Sequence, residues 1–284
     1  MSCRRDVLPG LRHRSPGLRH VLPGLKKALL GTTALLGTAM AATPPAASVT
    51  FVACPIYRDT DNGRKSGCWL ATDPATGIRY DVTQSRSKPQ TGREILVEGL
   101  LAPAHEPSAD DPCGGAVVAP VHVSVLTSTC PSFTLPAEGH PGRRFRLDPT
   151  LVLPPSDVVR PPLPPPYPPR DWIIEFSYQS DFLQYQYSEV ILDEIARYVL
   201  ASHPRRVEVI GHAVTRTRVV SEHSLAEQSP LARARAEMVA EALRRLGVAD
   251  TLMHVTWNEN PPAIQGDDGL PEPSRRRVDI RVIY

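Results

Sequence analysis

The second half of the chain, from about residue 171, has hydrophobic patterns that predict alternating strands and helices. In the segment WIIEFSY at 172–178 apolar residues alternate with polar ones, which is the period of a half-buried strand. The segment RVDIRVIY at 277–284 alternates in the same way. Short apolar runs predict two further strands, at residues 206–210 and 252–257.

Two segments between these strands have the helical period instead. In residues 187–203 apolar side chains recur every three or four positions, and residues 231–246 repeat the pattern, with Gly247 placed to end the second helix. A strand with one polar face cannot lie inside a sheet that is covered on both sides. We therefore expect both helices on one face of the sheet, which makes a two-layer α/β sandwich.

Residues 49–135 show a different pattern, of short strands without intervening helices. The predicted strands are 49–53, 68–72, 78–83, 94–101 and 117–126. Asn62-Gly63 is a typical hairpin turn, and Pro120 indicates a sheet edge or a bulge in the last strand. Five short strands predict a small β-barrel, for which an OB-like arrangement is one candidate, and the fold class of the whole chain is then α+β.

Prolines separate these two regions. The chain has 31 prolines, about twice the usual share, and many of them fall within residues 154–169. Such a segment favours an extended and semi-rigid polyproline II helix. We therefore expect residues 136–170 to be a linker between a β domain at 49–135 and an α/β domain at 171–284.

The first 41 residues are basic and end in an apolar run. Lys26-Lys27 precedes this run, and Ala39-Met40-Ala41 supplies the small-x-small pattern of a cleavage site. The formal net charge of the whole chain is only +2, and the excess of basic residues lies in this segment, which argues against a nucleic-acid partner. We expect residues 1–41 to be a signal segment that exports a Gram-negative protein to the periplasm, where it is soluble or associated with the outer membrane.

Four cysteines follow the signal segment, namely Cys54, Cys68, Cys113 and Cys130. An even number in an exported protein predicts two disulfides, and three pairings are open. The spacing favours the local pairs Cys54–Cys68 and Cys113–Cys130. No Cys-x-x-Cys motif occurs, so no zinc site is expected. The segment Phe51-Val52-Ala53-Cys54 leaves a lipid anchor at Cys54 as the alternative use of that residue.

Four segments of the second half resemble, in order, pieces of the OmpA-like carboxy-terminal domain of Gram-negative envelope proteins. They are IEFSYQSDFL at 174–183, VEVIGHA at 207–213, LARARAEMVAEALRRLG at 231–247 and RRVDIRV at 276–282. They are similar to that family's opening strand and loop, its second strand with the Gly-His-Thr-Asp corner, its LSxxRA helix and its closing strand. The resemblance implies the same α/β fold and binding of the peptide stem of peptidoglycan.

The resemblance also implies which residues bind. An arginine holds the free carboxylate of diaminopimelate with two parallel hydrogen bonds, and an aspartate accepts hydrogen bonds from the ammonium group. Arg235 stands at the arginine position, where it interrupts the apolar face of the second predicted helix. The resemblance places four more residues at the peptidoglycan site: Gly211 and His212 of the corner, and Gln179 and Ser180 of the opening loop.

The aspartate position is where this chain departs from the family. Val214 stands there, so the expected site has no evident acceptor for an ammonium group. The loop that leads to Arg235 is longer than in the family and carries Arg216 and Arg218, and Arg275 replaces the closing asparagine. The sequence therefore predicts a degenerate ligand site.

Two interpretations of Arg235 remain open. It binds the peptide-stem carboxylate, or it forms a structural ion pair with Glu222 or Glu227. The first interpretation predicts a tether to peptidoglycan, whose β domain is free to bind another envelope protein. The second predicts an interaction module of the envelope that has lost peptidoglycan binding. No spacing of histidines, acids and nucleophiles predicts a catalytic residue, a metal site or a cofactor, so both hypotheses describe a protein that is not an enzyme.

Overall fold

The computed structural model of the protein describes residues 47–102, 112–143, 148–155, 158, 160–264 and 268–284, except for the side chain of Arg64. Residues Pro45–Tyr284 form one compact unit. The predicted signal segment at 1–41 lies outside the described residues and stays a prediction. No helix within the described ranges is long and apolar enough to cross a membrane.

The first half forms one hydrogen-bonded sheet of seven strands. They are β1 (Ser48–Ala53), β2 (Pro55–Arg58), β3 (Cys68–Thr72), β4 (Arg79–Asp81), β5 (Arg93–Leu101), β6 (Ala116–Thr129) and β7 (Phe133–Leu135). Their order is β1-β5-β6-β4-β3-β2-β7, with parallel pairing only for β4 with β6 and β2 with β7 among the described residues. The five predicted strands are present, whereas β2 and β7 were not predicted.

The shape of this sheet differs in part from the expectation. Within the described residues no ladder joins β1 to β7, the two ends of the strand order, so a closed barrel is not confirmed. The bulge predicted at Pro120 is confirmed, because the β5–β6 register shifts between Gly99, which faces Val121, and Leu101, which faces Val118. The inner face buries a cluster of apolar side chains, namely Phe51, Ala71, Tyr80, Val82, Ile95, Val97, Val118, Val121 and Val123.

The described residues of the second half form six strands and two α-helices. They are β8 (Asp171–Glu175), α1 (Tyr187–Ser202), β9 (Arg206–Ala213), β10 (Arg218–Val220), β11 (His223–Leu225), α2 (Pro230–Arg245), β12 (Met253–Glu259) and β13 (Arg277–Ile283). Four strands form a sheet in the order β12-β9-β13-β8. In this sheet β12 is parallel to β9, and β13 is antiparallel to both β9 and β8.

Both helices cover the same face of the four-stranded sheet, as predicted. Val209 and Ile280, which are partners across β9 and β13, are fully buried beneath the helices. Their neighbours Ile210 and Asp279 belong to the opposite face because side chains alternate along a strand. Two residues that the helical period places on the apolar face predicted for α2 are exposed instead, Met238 at 39% and Leu246 at 42%. The small Ala232 and Ala236 are buried where α2 approaches the sheet.

Residues 160–170 of the proline-rich segment pack on the second half, whereas residues 152–155 and Val158 are exposed. Arg160 forms an ion pair with Asp193 of α1, and Tyr167 packs against the apolar core. The hydroxyl of Tyr198 donates a hydrogen bond to the carbonyl of Pro168. Residues 160–170 therefore lie along α1, and the extended, semi-rigid linker expected at residues 136–170 stays a prediction.

The β10–β11 hairpin brings the two halves of the unit into direct contact. Five buried apolar side chains form a joint cluster, to which Tyr178 adds its ring: Val52, Leu96 and Leu126 from the first half, and Val220 and Leu225 from the hairpin. At the hairpin turn, the backbone N–H of Val52 donates to Oγ of Ser221 over 3.0 Å. The hairpin is therefore an extension of the second half that docks on the first.

The disulfide pairing expected from spacing is wrong. Cys68 is bonded to Cys113, with the two Cα atoms 5.6 Å apart. Cys68 begins β3, and Cys113 lies just before β6, so the bond joins parts of the sheet that are 45 residues apart in the chain. Cys54 and Cys130 are free thiols that contact each other through a hydrogen bond. Sheet pairing, and not closeness in the chain, decides which cysteines meet.

Candidate functional site

The site around Arg235 begins with a close approach of α2 to β9. A Cβ atom added to Gly211 would lie 2.0 Å from the carbonyl oxygen of Ala232, so any larger residue would push the helix away. Glycine at this position lets the first turn of α2 lie directly on the end of β9. Arg235 then points its side chain into the space where β9 and the loop after β8 meet.

The guanidinium of Arg235 is completely buried, and all five of its N–H groups have acceptors inside the protein. Nε donates to the carbonyl of Ser180 over 2.9 Å. Nη1 donates to the carbonyl of His212 over 2.7 Å, and Nη2 to that of Ser177 over 3.1 Å. The two remaining N–H groups bind the carboxylate of Glu227 side by side, at 3.1 and 2.6 Å.

The carboxylate of Glu227 is likewise fully buried, and it accepts hydrogen bonds from two backbone N–H groups as well as from Arg235. Its Oε1 accepts a hydrogen bond from the backbone N–H of Gln179 over 3.0 Å. Its Oε2 accepts one from the backbone N–H of Val214 over 2.8 Å. Two backbone donors and a fork of guanidinium donors therefore converge on one carboxylate, which is a complete carboxylate-binding cradle.

Burial is the main influence on the charge of this pair. It lowers the pKa of Arg235 below its usual range, and the hydrogen bonds and attraction from Glu227 oppose that shift. An arginine stays protonated in proteins even so, since its usual pKa lies above 12. The pair is therefore an internal ion pair with both side chains at 0% exposure.

The structure brings all five sequence-predicted residues together, although most contribute backbone. Gly211 gives the helix its close approach, Gln179 gives its N–H, and Ser180 and His212 give their carbonyls. Of the five, only Arg235 uses its side chain in the cradle.

The ring of His212 lies away from the cradle. Its Nε2 is 2.9 Å from Oδ2 of Asp279, on the sheet face opposite the helices. Arg277 binds the other oxygen of Asp279 through Nε, over 2.6 Å. These partners hold the pKa of Asp279 below its usual range although burial opposes that shift.

The loop that covers Arg235 is fastened to the first half of the unit. The backbone N–H of Tyr178 donates to Oγ of Ser124 over 2.8 Å. Oγ of Ser87 lies 3.0 Å from that of Ser177 and accepts a bond from the amide of Gln184 over 2.9 Å. The first half therefore helps to hold the cradle closed.

A second buried charge cluster lies where the two halves meet. Glu98 of β5 is paired with Arg276, just before β13, and with Arg218 of β10. Burial disfavours the charge of Glu98, but the attraction of both arginines outweighs burial and lowers its pKa. His122, which faces Glu98 across β5 and β6, is held neutral, because burial and then the charge of Arg276 lower its pKa to about 4.

The sequence motifs predicted neither the cluster around Glu98 nor the choice of Glu227 as the partner of Arg235. Glu98 interrupts the apolar part of β5 that follows Arg93 and Glu94, and this was the available signal that a cation from elsewhere pairs with it. Glu227 was one of two candidate partners for Arg235, and the other, Glu222, lies exposed at the turn of the β10–β11 hairpin.

Among the described residues there is no group of three or more histidine, cysteine or acidic side chains that could hold a metal ion.

Comparison with known proteins finds similar solved structures but no matching family. No protein-family model matches the chain, and no curated protein matches it. The OmpA-like domain of FopA1 from Francisella tularensis is 18% identical, over 40% of this chain and 71% of that chain, with a TM-score of 0.32. The peptidoglycan-associated lipoprotein from Burkholderia pseudomallei is 29% identical, over 39% and 88% of the two chains, with a TM-score of 0.31.

A third similar structure is the cell wall anchor of the T6SS from Pseudomonas aeruginosa, which is 22% identical over 41% of this chain and 82% of that chain, with a TM-score of 0.31. The first of these similar structures is titled an OmpA-like domain, which is the family that the sequence motifs resemble.

Proposed function

We propose that this protein is a non-enzymatic component of the cell envelope whose OmpA-like half is an interaction module with an internally filled ligand cradle. The observation that carries the proposal is the complete internal use of Arg235, since a ligand carboxylate would find no free N–H group on it. The envelope location rests on the export signal expected at residues 1–41 and on the OmpA-like motifs.

The cradle explains why the family motif persists without an external ligand. Glu227 supplies the carboxylate that a peptide stem would otherwise bring to Arg235. Breaking a buried ion pair by removing one partner costs about 3–5 kcal/mol, so a peptide stem would have to offset that cost before it bound. The filled cradle also holds the loop at 177–184 against the first half. The cradle therefore contributes to the contact between the two halves.

A second candidate function is a tether to peptidoglycan, and one feature favours it. Val214 stands where the resemblance requires an aspartate, so that carboxylate is missing. Glu227 instead places a carboxylate at the backbone N–H of Val214, beside Arg235. An arginine and a carboxylate are the two groups that a zwitterionic diaminopimelate end requires. This function requires the loop over Arg235 to open and the pair to separate.

Retention on insoluble peptidoglycan separates the two functions. The mature full-length protein is sedimented with purified sacculi, with and without free meso-diaminopimelate as a soluble competitor that needs no substitution. We expect no retention that the competitor can displace. The matched variants are Arg235→Ala and, at an exposed position of the same helix, Arg233→Ala.

Competitor-sensitive retention of the parent protein, lost in Arg235→Ala but kept in Arg233→Ala, would overturn the proposal and support the tether. A third variant, Val214→Asp, restores the family aspartate. If it gains retention that the parent lacks, the lost acidic residue explains the lost activity.

A further inference from the structure

Beside Val214, where the family has its aspartate, lies a cavity of about 180 Å3 lined by arginines. Its walls are Arg216, Arg218 and Arg275, with Glu272, Asn260 and the backbone of the loop after β9. We propose that this cavity binds a phosphate monoester group. The site is distinct from the carboxylate cradle, because neither Arg235 nor Glu227 lines it.

The chain holds the loop that carries two of these arginines in a defined place. The backbone N–H of Arg216 donates to Oδ1 of Asn260 over 2.7 Å, and the amide nitrogen of Asn260 donates to Oγ1 of Thr215 over 2.7 Å. Asn260 itself has a positive φ of 50°, a conformation that asparagine tolerates better than most residues. The loop after β9 is therefore fixed to the end of β12.

Several N–H groups of the three arginines have no acceptor within the described residues. Nη1 of Arg275 donates to the carbonyl of Pro261 over 2.7 Å, whereas its buried Nε makes no hydrogen bond but lies 3.3 Å from Oε1 of Glu272 in an ion pair. Nη1 of Arg218 lies 3.7 Å from Glu272, too far for a hydrogen bond. The side chain of Arg216 is exposed, with no polar partner among the described residues. Nη1 of Arg218 and the guanidinium of Arg216 can therefore donate to an anion without giving up a hydrogen bond inside the protein.

The charges around the cavity favour a dianion. Three guanidinium groups, those of Arg216, Arg218 and Arg275, line the cavity beside a single carboxylate, that of Glu272. Arg218 is also paired with Glu98, whose charge is matched by that of Arg276. A phosphate monoester carries a charge of about −1.5 to −2 at pH 7 and has three acceptor oxygens, whereas a single carboxylate would neutralise only half of the excess. The volume equals that of about six water molecules in the liquid, which is enough for a phosphate group.

The change of chemistry follows from the sequence at this corner. The family aspartate and asparagine are acidic and neutral, and here Val214 and Arg275 stand at those positions while the longer loop adds Arg216 and Arg218. A position that suits an ammonium group in the family therefore suits an anion in this chain.

Binding of inorganic phosphate by the mature full-length protein tests the site directly. Isothermal titration at pH 7.5 compares sodium phosphate with sodium acetate at equal ionic strength. We expect saturable binding of phosphate and at least tenfold weaker binding of acetate. The variants Arg216→Ala and Arg275→Ala should each weaken phosphate binding about tenfold or more, because each loses a charge-assisted hydrogen bond.

Two further variants make the result specific. Arg233→Ala removes an exposed arginine elsewhere and should leave phosphate binding unchanged. Glu272→Gln removes the carboxylate that competes with the anion and should strengthen binding, and this variant keeps every arginine. The proposal is overturned if phosphate does not bind saturably, if acetate binds equally well, or if the cavity variants and Arg233→Ala behave alike.

Vesicles distinguish a lipid source of the phosphate from a soluble one. The protein is sedimented with phosphatidylcholine vesicles that contain or lack phosphatidic acid, whose head group is a phosphate monoester. Phosphatidic-acid-dependent sedimentation that Arg216→Ala abolishes assigns the site to a lipid surface. Saturable binding of inorganic phosphate without sedimentation assigns it to a soluble phosphate ester.

Discussion

The carboxylate of Glu227 lies across the guanidinium of Arg235 in a two-pronged ion pair, with Oε1 2.6 Å from Nη2 and Oε2 3.1 Å from Nη1. Eight residues separate the two in the chain, and the β10–β11 hairpin ends just before Glu227. The position of Glu227 therefore depends on the docking of that hairpin, so the ligand cradle and the contact between the two halves are physically coupled.

The first prediction concerns the stability of this pair. Glu227→Gln and Arg235→Ala should each lower the free energy of unfolding by about 3–5 kcal/mol, because each leaves an uncompensated buried charge or unsatisfied backbone groups. Replacing both residues by leucine should cost less than the sum of the single changes, since no charge is then stranded. Urea denaturation followed by circular dichroism measures these differences.

The control for the first prediction is the exposed pair of Arg233 and Glu237 on the same helix. Arg233→Ala should change the free energy of unfolding by less than about 1 kcal/mol, because an exposed ion pair at this spacing and the exposed cation–π contact with Trp257 both contribute little. A fully stable Arg235→Ala variant would show that the arginine is not a structural partner and would return it to the role of a ligand-binding residue.

The second prediction concerns the charge cluster between the two halves. Glu98→Gln leaves Arg276 buried without its counter-ion and should destabilise the protein by about 3–5 kcal/mol. Because Glu98 also holds Arg218 of the hairpin, hydrogen exchange of the hairpin amides should quicken in this variant. Unchanged exchange in the hairpin would mean that the apolar cluster alone holds the two halves together.

The strands and helices at residues 171–284 could be predicted from sequence because their periodicity comes from burial on one face. The β10–β11 hairpin could not, since each strand has three residues and its structure depends on packing against another part of the chain. Ser221 and Glu222, which form its turn, both have positive φ, at 45° and 67°. Neither is a glycine or asparagine, so the usual signal of a tight hairpin is missing.

The candidate site was predictable as a set of positions but not as a mechanism. The motifs predicted that Gly211, His212 and Arg235 lie close together, because the end of a strand and the start of a helix can be recognised from local sequence. The choice between Glu222 and Glu227 depends on the hairpin turn, which places Glu222 in solvent and returns Glu227 to the cradle. The cation that meets Glu98 comes from a segment 178 residues away, which no local pattern encodes.

The third prediction concerns acid sensitivity. The pKa of His122 is lowered from 6.5 to about 4 in the folded protein, by burial and by the charge of Arg276. The unfolded chain therefore takes up this proton first, so stability should be full above pH 6.5 and fall as the pH drops from 6.5 towards 4. Protonation of His122 should lower the free energy of unfolding by roughly 3 kcal/mol in total once the pH has fallen to about 4.

Replacement of the histidine isolates this effect from the titration of carboxylates. His122→Gln should remove the part of the pH dependence that lies between pH 6.5 and 4, and His254→Gln, at an exposed position, should not. Chemical denaturation at a series of pH values measures both. Parallel pH profiles of the parent and His122→Gln would show that the histidine does not titrate with a lowered pKa.

The last prediction concerns the cysteines. Because Cys68 and Cys113 are bonded and the thiols of Cys54 and Cys130 touch, the oxidised protein should contain the pairs Cys68–Cys113 and Cys54–Cys130. Burial and the contact with Cys54 raise the pKa of the Cys130 thiol to about 12, so the reduced thiol should be alkylated slowly at neutral pH until the protein unfolds.

Peptide mapping of the unreduced protein reads the pairing directly, and a peptide that links Cys54 to Cys68 would contradict it. The Cys68–Cys113 bond closes a loop of 45 residues, so the double variant Cys68→Ser/Cys113→Ser should lose about 4 kcal/mol of stability by the chain-entropy argument. The variant Cys54→Ser/Cys130→Ser separates the two contributions. If this variant, measured without reductant, is as stable as the unreduced parent, Cys54 and Cys130 only contact each other as thiols, and the stabilisation by a disulfide comes from Cys68–Cys113 alone.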